Sequence, residues 1–363
     1  MKLLIKILAF ALLFVFCKEA KCQDPQYSQF ELNPLYQNPA FAGAASDLRV
    51  GINYRNHWPN IPGKTFPGPF STYNVYGDKQ FNNALVGGVG LIAMQSFKGE
   101  GFLRFTSVGG IYSWHMPTKT KNFNMYFGTG VYFSQIAVDW SRFRFSDQVS
   151  SEGYLDKPSA FTPQGSGKRA FVDISAGTVA RFNIAKKWSN EISFSTIHLS
   201  RPDISLEGIE TRLPFRFSVL YNTSLSIREG KLYLNPRFLF EKQDVFTGFT
   251  SGLNFYVTRK YFLNQQFHYD KIMYLGFIFR NSRINEGSNT KALVFTIGHT
   301  GHFGNNNTRY QVGLSYDFTI GGLNQTTYGA LELSATMIFY TKNSIRRSQK
   351  CVNFQGNPLG PIN

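Results

Sequence analysis

"YQVGLSYDFTI", residues 310–320, decides the fold. Tyr310, Val312, Leu314, Tyr316, Phe318 and Ile320 share one parity, and Gln311, Gly313, Ser315, Asp317 and Thr319 share the other. A period of two puts these sets on opposite faces of a strand, one apolar and one polar. The pattern recurs in "LELSATMIFY" (331–340), where Leu331, Leu333, Ala335, Met337 and Phe339 alternate with Glu332, Ser334, Thr336, Ile338 and Tyr340. In "FRFSVLYNTSLSI" (215–227), Phe215, Phe217, Val219, Tyr221, Leu225 and Ile227 oppose Arg216, Ser218, Asn222, Ser224 and Ser226. In "FNMYFGTGVYF" (123–133), Phe123, Met125, Phe127, Val131 and Phe133 oppose Asn124, Gly128 and Gly130. No stretch carries a convincing period of 3.6.

Alternation also fits a soluble sandwich, so the rest of the chain must choose. The strands run to ~10 residues or more, against ~5–6 in soluble proteins. Their apolar face is rich in Phe and Tyr near the strand ends, as interfacial girdles are. Their polar face holds Gly, Ser, Asn and, at mid-strand, Arg or Asp, which suits a water-filled lumen. Residues 1–22 read as a secretory signal: Lys2 and Lys6, an apolar run from Ile7 to Phe16, then Ala20-Lys21-Cys22. That run is about half of the ~20 residues a spanning helix needs, and no later run approaches ~18. A bilayer offers exposed backbone groups no water, so strands cross it as a closed barrel. The expectation is an all-β fold, a transmembrane outer-membrane β-barrel.

Fourteen antiparallel strands are predicted, at 46–56, 69–80, 84–96, 102–116, 122–138, 170–183, 189–199, 212–228, 231–242, 247–257, 272–281, 290–301, 308–320 and 327–340. Residues 258–271 have room for one more strand or a long turn. The organisation is then signal peptide 1–22, plug or strap 23–45, barrel 46–342 and a periplasmic tail 343–363. An even strand count puts both termini on one side. Extracellular connections are the longer ones, so 57–68, 139–169 and 200–211 face outward and both termini are periplasmic.

The segment before the first strand is of a different kind. In "SQFELNPLYQNPAFAG" (28–43), Asn33-Pro34 and Asn38-Pro39 flank Tyr36, with Phe30 and Phe41 outside them. Each Pro lacks an N–H and disfavours helix at its predecessor, so a non-regular segment is expected. It has too many aromatics for a solvated linker. Either it enters the lumen as a plug, packing on inward positions such as Tyr126, Tyr132 and Gly128 with its Asn side chains in Asx turns, or it is a strap beneath the rim.

The chain carries a net charge of +16, and +13 without residues 1–22. Cys351 is then the one remaining cysteine, which excludes an intramolecular disulfide and Cys-based metal sites. The six His, namely His57, His115, His198, His268, His299 and His302, lie in no HExxH or CxxC context, and no GxSxG elbow or GxxxxGK[ST] loop occurs. His299 and His302 read as polar rim residues. No catalytic residue, cofactor or metal is expected. Basic stretches at 118–122, 185–188, 258–261 and 344–350 fall on the inner side, where nucleic acid is not a partner. They read as solvated turns or as docking points for periplasmic or peptidoglycan-linked components. Arg142 to Phe145, with Trp140, offers a contact for lipopolysaccharide phosphates or for cargo.

Four blocks carry a family resemblance. Asp24, Pro25, Gln26, Ser28, Gln29, Asn33, Pro34, Asn38, Pro39, Ala40 and Gly43 form the first. Tyr54, Arg55, Trp58 and Pro59 form the second, Gly276 and Arg280 the third, and Gly313, Tyr316 and Asp317 the fourth. In order and over most of the chain, they resemble the PorP/SprF family of the Bacteroidetes type IX secretion and gliding-motility machinery. The tail departs from it, keeping Cys351 and Phe354 without the usual Cys-Pro-Arg-Phe. The resemblance implies an outer-membrane barrel that binds, helps export or anchors a secreted surface protein through that cargo's C-terminal region. The plug and partner-contact candidates are Asn33, Pro34, Tyr36, Asn38, Pro39, Phe41, Gly43, Arg55, Trp58 and Pro59. The competing class is a porin or a hydrophobic-ligand transporter of the fatty-acid-transporter type.

Overall fold

The computed structural model describes residues 23–45, 47–59, 70–81, 87–99, 103–116, 122–143, 145–150, 153–154, 157–162, 166–185, 187–206, 210–228, 232–258, 272–284, 288–303, 308–320 and 328–340. The barrel strands are β1 (Leu48–His57), β2 (Ser71–Phe81), β3 (Gly87–Lys98), β4 (Leu103–Met116), β5 (Phe123–Val138), β8 (Lys168–Ala185), β9 (Trp188–Ile197), β10 (Arg216–Arg228), β11 (Leu232–Gln243), β12 (Phe246–Thr258), β13 (Ile272–Ile284), β14 (Ser288–Phe303), β15 (Thr308–Ile320) and β16 (Ala330–Phe339). The short β6 (Val149–Ser150) and β7 (Gly153–Tyr154) form a separate hairpin between β5 and β8. Each barrel strand pairs antiparallel with its chain neighbours, and β1 closes on β16 from Leu48↔Phe339 to His57↔Ala330. Closure leaves the barrel with no free edge. The expected fourteen strands are all present.

Boundaries differ where turn chemistry overrides alternation. Strand β12 pairs directly with β13, Thr258↔Ile272 at its end, so the connection between them gives the barrel no strand; residues 259–271 themselves lie outside the described residues. Strand β9 stops before His198, whose φ of 64° leaves the β region. Residues 212–215, read as the start of a strand, instead belong to the preceding connection. Arg212 bridges Asp203 there, and Leu213 packs with Ile204 on the inward Ile136 and Phe171.

The outer face is as the alternation requires. Val131, Phe133, Leu275, Phe277, Phe295, Leu314, Phe318 and Leu333 are all exposed apolar side chains. Phe277, Phe295 and Phe318 form an edge-to-face run across β13, β14 and β15, with centroids 5.1 and 5.6 Å apart.

The inner face does not line a wet lumen. Tyr76, Ile92, Ile111, Tyr126, Val179, Leu220 and Leu239 point inward and form one core with Tyr27, Phe30, Leu35, Tyr36 and Phe41 of the N-terminal segment. A polar lumen face was expected because inward Arg and Asp would otherwise have to be hydrated. They are instead matched to one another and to this segment.

Candidate functional site

Residues 23–45 thread the barrel. The segment touches inward side chains around the circumference, from β1 and β2 through β8 to β11 and on to β13, β15 and β16. Both prolines begin helical turns and do not merely break structure. Pro34 occupies the first position of the one-turn helix Pro34–Gln37, and Pro39 opens the 3-10 turn Pro39–Phe41. Pro excludes helix at the residue before it but is pre-organised for the first helical position, so the segment is more regular than the Asn-Pro pairs imply. Asn38 makes the expected Asx contact, its Oδ1 accepting from the Ala40 N–H at 2.8 Å. Its Nδ2 donates to Ser193 Oγ and to the carbonyls of Thr178 and Phe194, at 2.9–3.0 Å. The bare backbone of Gly128, with Gly177 opposite it on β8, admits this stretch. A Cβ on Gly128 would lie 2.2 Å from Ala40 N. Gly43 has φ 70°, and its N–H donates to Asp78 at 2.7 Å.

Ion pairs hold the segment along its length. Toward the long-connection end, Arg55 of β1 pairs with Asp317 of β15 at 2.6 Å and with Glu332 of β16 at 2.9 Å, and Arg280 of β13 reaches Asp317 at 2.7 Å. Ser28 sits in their midst: its Oγ accepts from Arg55 and Arg280 and donates to Asp317. Glu332 accepts the N–H groups of both Ser28 and Gln29, at 2.7 and 2.9 Å. Arg216 donates to the Tyr36 hydroxyl at 2.7 Å, lies 4.6 Å above its ring and pairs with Asp24 at 3.2 Å. Arg237 pairs with Glu31 and covers the Phe30 ring at 5.1 Å. Segment 23–45 has Asp24 and Glu31 and no Lys or Arg. It is an acidic chain in an arginine-lined bore. Breaking a buried pair from one side costs ~3–5 kcal/mol, so these contacts fix the segment's register.

The segment runs from one end of the barrel to the other. Gln23 and Asp24 contact Lys98, His198 and Gln243 at the ends of β3, β9 and β11. Phe41 to Ala44 contact Arg49, Asp78, His115 and Arg181 at the other end, where β1 begins and β16 finishes. Strand parity places only the barrel edges, and a segment that traverses the lumen carries Gln23 to the end opposite the start of β1. The C-terminal tail, 343–363, lies outside the described residues, as do residues 1–22.

At the long-connection end, His198 links Asp24 to Asp173. Burial opposes charge on the imidazole, but the Asp24 charge and the hydrogen bonds that the ring donates to Asp173 and Asp24 prevail and raise its pKa to about 9. Burial likewise works against the Asp24 carboxylate, yet His198 and Arg216 hold it well below the usual carboxylate range.

Of the sequence candidates, Asn33, Pro34, Tyr36, Asn38, Pro39, Phe41, Gly43 and Arg55 come together inside the barrel. Asn33 takes a hydrogen bond from Asn74, and the Phe41 carbonyl accepts from Arg49. Trp58 and Pro59 stand apart. Trp58 has φ 58° and stacks between His57 and Phe70 at the rim. It lines a vestibule of about 420 Å³ whose floor is Gln23 to Gln26 and whose walls include Arg55, Lys98 and Arg280. Glu332, Arg216, Arg237 and His198 were not singled out as site residues. Their signal was charge at mid-strand on the polar face, read as a sign of water. His299 and His302 fall on opposite faces of β14, which excludes joint ligation. Trp140, Phe143, Phe145 and Phe161 gather on the long connection, with Arg142 exposed beside Asp139. The basic stretch 344–350, and all but one residue of each of 118–122 and 258–261, lie outside the described residues.

A closed fourteen-stranded barrel with a lipid-facing apolar belt defines an outer-membrane β-barrel protein. The ΔS2S3 mutant of the monoaromatic hydrocarbon channel TodX superposes with a TM-score of 0.50 at 10% identity, over 84% of this chain and 92% of that one. CymD, another monoaromatic hydrocarbon channel, gives 0.47 at 10% identity over 85% and 93%. A FadL homologue from Pseudomonas aeruginosa gives 0.44 at 12% over 84% and 93%. These likenesses concern the fold alone. No curated protein matches the sequence. The family model described as "Type IX secretion system membrane protein PorP/SprF" matches residues 19–337. The chain belongs to the PorP/SprF family.

Proposed function

We propose that this barrel binds one secreted surface protein of the type IX system through the cargo's C-terminal region, and exports or anchors it, without catalysing a reaction. The long connections then face the cell exterior, and the vestibule they surround receives the cargo. The supporting observation is an asymmetric lumen. It is packed with the chain's own residues 23–45 down to the short-connection end, while above Gln23 to Gln26 its long-connection end opens into the vestibule of about 420 Å³. Trp58, Phe70, Phe97 and Phe246 give that mouth aromatic anchors, and Lys98 adds a cation beside the ion-paired Arg55 and Arg280. Large buried aromatics and Arg are the residue types that carry binding energy at protein interfaces. The short-connection end then faces periplasmic or peptidoglycan-linked components. The exposed Arg142 beside Trp140 then meets lipopolysaccharide phosphates, and the apolar belt meets outer-membrane lipid.

A hydrophobic-ligand channel is the weaker reading. The apolar cavity beside the segment, lined by Leu35, Ile92, Met94 and Phe105, is only about 50 Å³. Ligand pockets run to ~300–1,000 Å³.

A photo-crosslinking amino acid at Trp58 or Lys98, in intact cells, tests the proposal. The expected product is a covalent adduct with one large secreted protein. The same probe at Ile227, on the opposite end, should give none. No adduct with a secreted protein from either vestibule position, or equal adducts from Ile227, would refute it.

A further inference from the structure

Seven arginines are buried among the described residues: Arg49, Arg55, Arg181, Arg216, Arg237, Arg280 and Arg309. Six face a carboxylate, respectively Asp78, Asp317 with Glu332, Glu191, Asp24, Glu31 and Asp317. Arg309 is the exception. It is 3% exposed, and neither Nη1 nor Nη2 has a hydrogen-bond partner. Its surroundings repeat the deficit. Gln311 lies two residues along the same inward face of β15, and Thr300 faces Gln311 across the β14 pairing. Both are buried, and Gln311 Nε2 and Thr300 Oγ1 are also unpartnered. Every one of these atoms donates hydrogen bonds. On β13, Ile272 pairs with Thr300 and brings the buried cluster of Tyr233, Tyr256, Ile272 and Tyr274 alongside. This wall keeps the local dielectric low, which makes an unpaired donor costly and an incoming anion strongly held.

We propose that Arg309, Gln311 and Thr300 form an anion site for a phosphate-type oxyanion, entering from the short-connection end of the barrel. The guanidinium presents two Nη groups as a planar fork that suits bidentate contact with oxyanions. The amide and the hydroxyl supply two further donors from a second direction. Four donor atoms in all match the four oxygens of phosphate and exceed the two of a carboxylate. The side chains face the lumen, so the phosphate comes from a soluble molecule or a bound partner and not from the surrounding lipid. The site lies at the opposite end from the vestibule and does not depend on the cargo proposal.

The probe is inorganic phosphate, and the readout is the heat-modification midpoint of the full, detergent-solubilised barrel at constant ionic strength. Phosphate should raise the wild-type midpoint above chloride, saturably, and acetate should raise it less. Arg309→Met should bind phosphate about 10- to 100-fold more weakly, as loss of charge-assisted hydrogen bonds implies. It should also give a crossover: a midpoint above wild type in chloride, where a buried unpaired charge is removed, and below it in saturating phosphate. Arg169→Met, at an exposed arginine, should leave the phosphate rise unchanged. Should Arg309→Met not assemble, Thr300→Val and Gln311→Leu carry the test, each reducing the rise. A wild type indifferent to phosphate, a phosphate rise retained in Arg309→Met or in both substitute variants, or acetate equal to phosphate would overturn the proposal.

Discussion

Gly128 offers the sharpest test of the threaded segment. It sits on β5 directly opposite Gly177 of β8, and residues 38–40 lie against that bare patch. A Cβ at Gly128 would stand 2.2 Å from Ala40 N and 2.4 Å from Pro39 C, where ordinary contact begins at 3.4 Å. Both obstacles are backbone, so Gly128→Ala must push the segment off the wall by roughly 1 Å. The three Asn38 Nδ2 contacts at 2.9–3.0 Å would then stretch out of hydrogen-bonding range. The amide has two N–H groups to share among them, so at ~1 kcal/mol net for each the loss is about 2 kcal/mol. Relief of the glycine's conformational entropy in a strand returns ~0.5–1 kcal/mol, so the net cost is about 1 kcal/mol. Gly110 on β4 is the control, exposed with nothing within 4 Å of its added Cβ; Gly110→Ala should be neutral or slightly stabilising. Both variants should close into barrels, because neither change touches the ladder. Heat-modification midpoints, together with the rate of protease cleavage between residues 23 and 45, measure the difference. Gly128→Ala should melt lower and be cut faster. Identical midpoints and cleavage rates for the two would refute the account of a segment seated on the Gly128–Gly177 patch.

Three further outcomes follow from the same structure. Leu314→Arg and Leu333→Arg, both on the lipid face, should each cost ~2–4 kcal/mol near the midplane and reduce the folded fraction on semi-native gels. Arg216→Met leaves Asp24 with His198 alone and removes the donor to the Tyr36 hydroxyl, so it should destabilise, by less than the ~3–5 kcal/mol of a fully stranded buried charge, read as a fall in the urea midpoint. The His198 imidazole, raised from 6.5 to about 9, contributes stability that is fully present below pH 6.5 and lost as pH climbs through 9. The heat-modification midpoint should therefore drop between those values, and His198→Gln should flatten that drop.

How much of this was readable beforehand depends on the range over which each cause acts. Period-two alternation is local. Lipid demands apolar side chains on one face of every strand, so stretches such as 310–320 and 331–340 announce their faces one strand at a time. Strand number, closure and the membrane class follow from that, and so does the special character of 28–43, whose aromatics and Asn-Pro pairs suit neither a strand nor a linker. By itself the sequence determined the barrel, its outer face and the distinct character of residues 28–43; whether they plug the bore or strap its rim was left to the tertiary structure.

The polar face was a different matter. Arg216, Arg237, Asp317 and Glu332 looked like the lining of a water-filled lumen, because alternation records polarity without naming a partner. Their partners lie far away along the chain: Ser28 meets Glu332, and Tyr36 meets Arg216. Only closure of the sheet sets those distances. The segment's direction is likewise tertiary. Parity counts crossings of the wall and is blind to a passage through the bore, whereas the pairing of Asp24 with His198 and of Gly43 with Asp78 fixes which end each residue reaches. The unmatched Arg309 belongs to the same class of fact. In the sequence it is one more charged residue near a strand end, and it stands out only once the folded barrel has given every other buried arginine among the described residues its carboxylate.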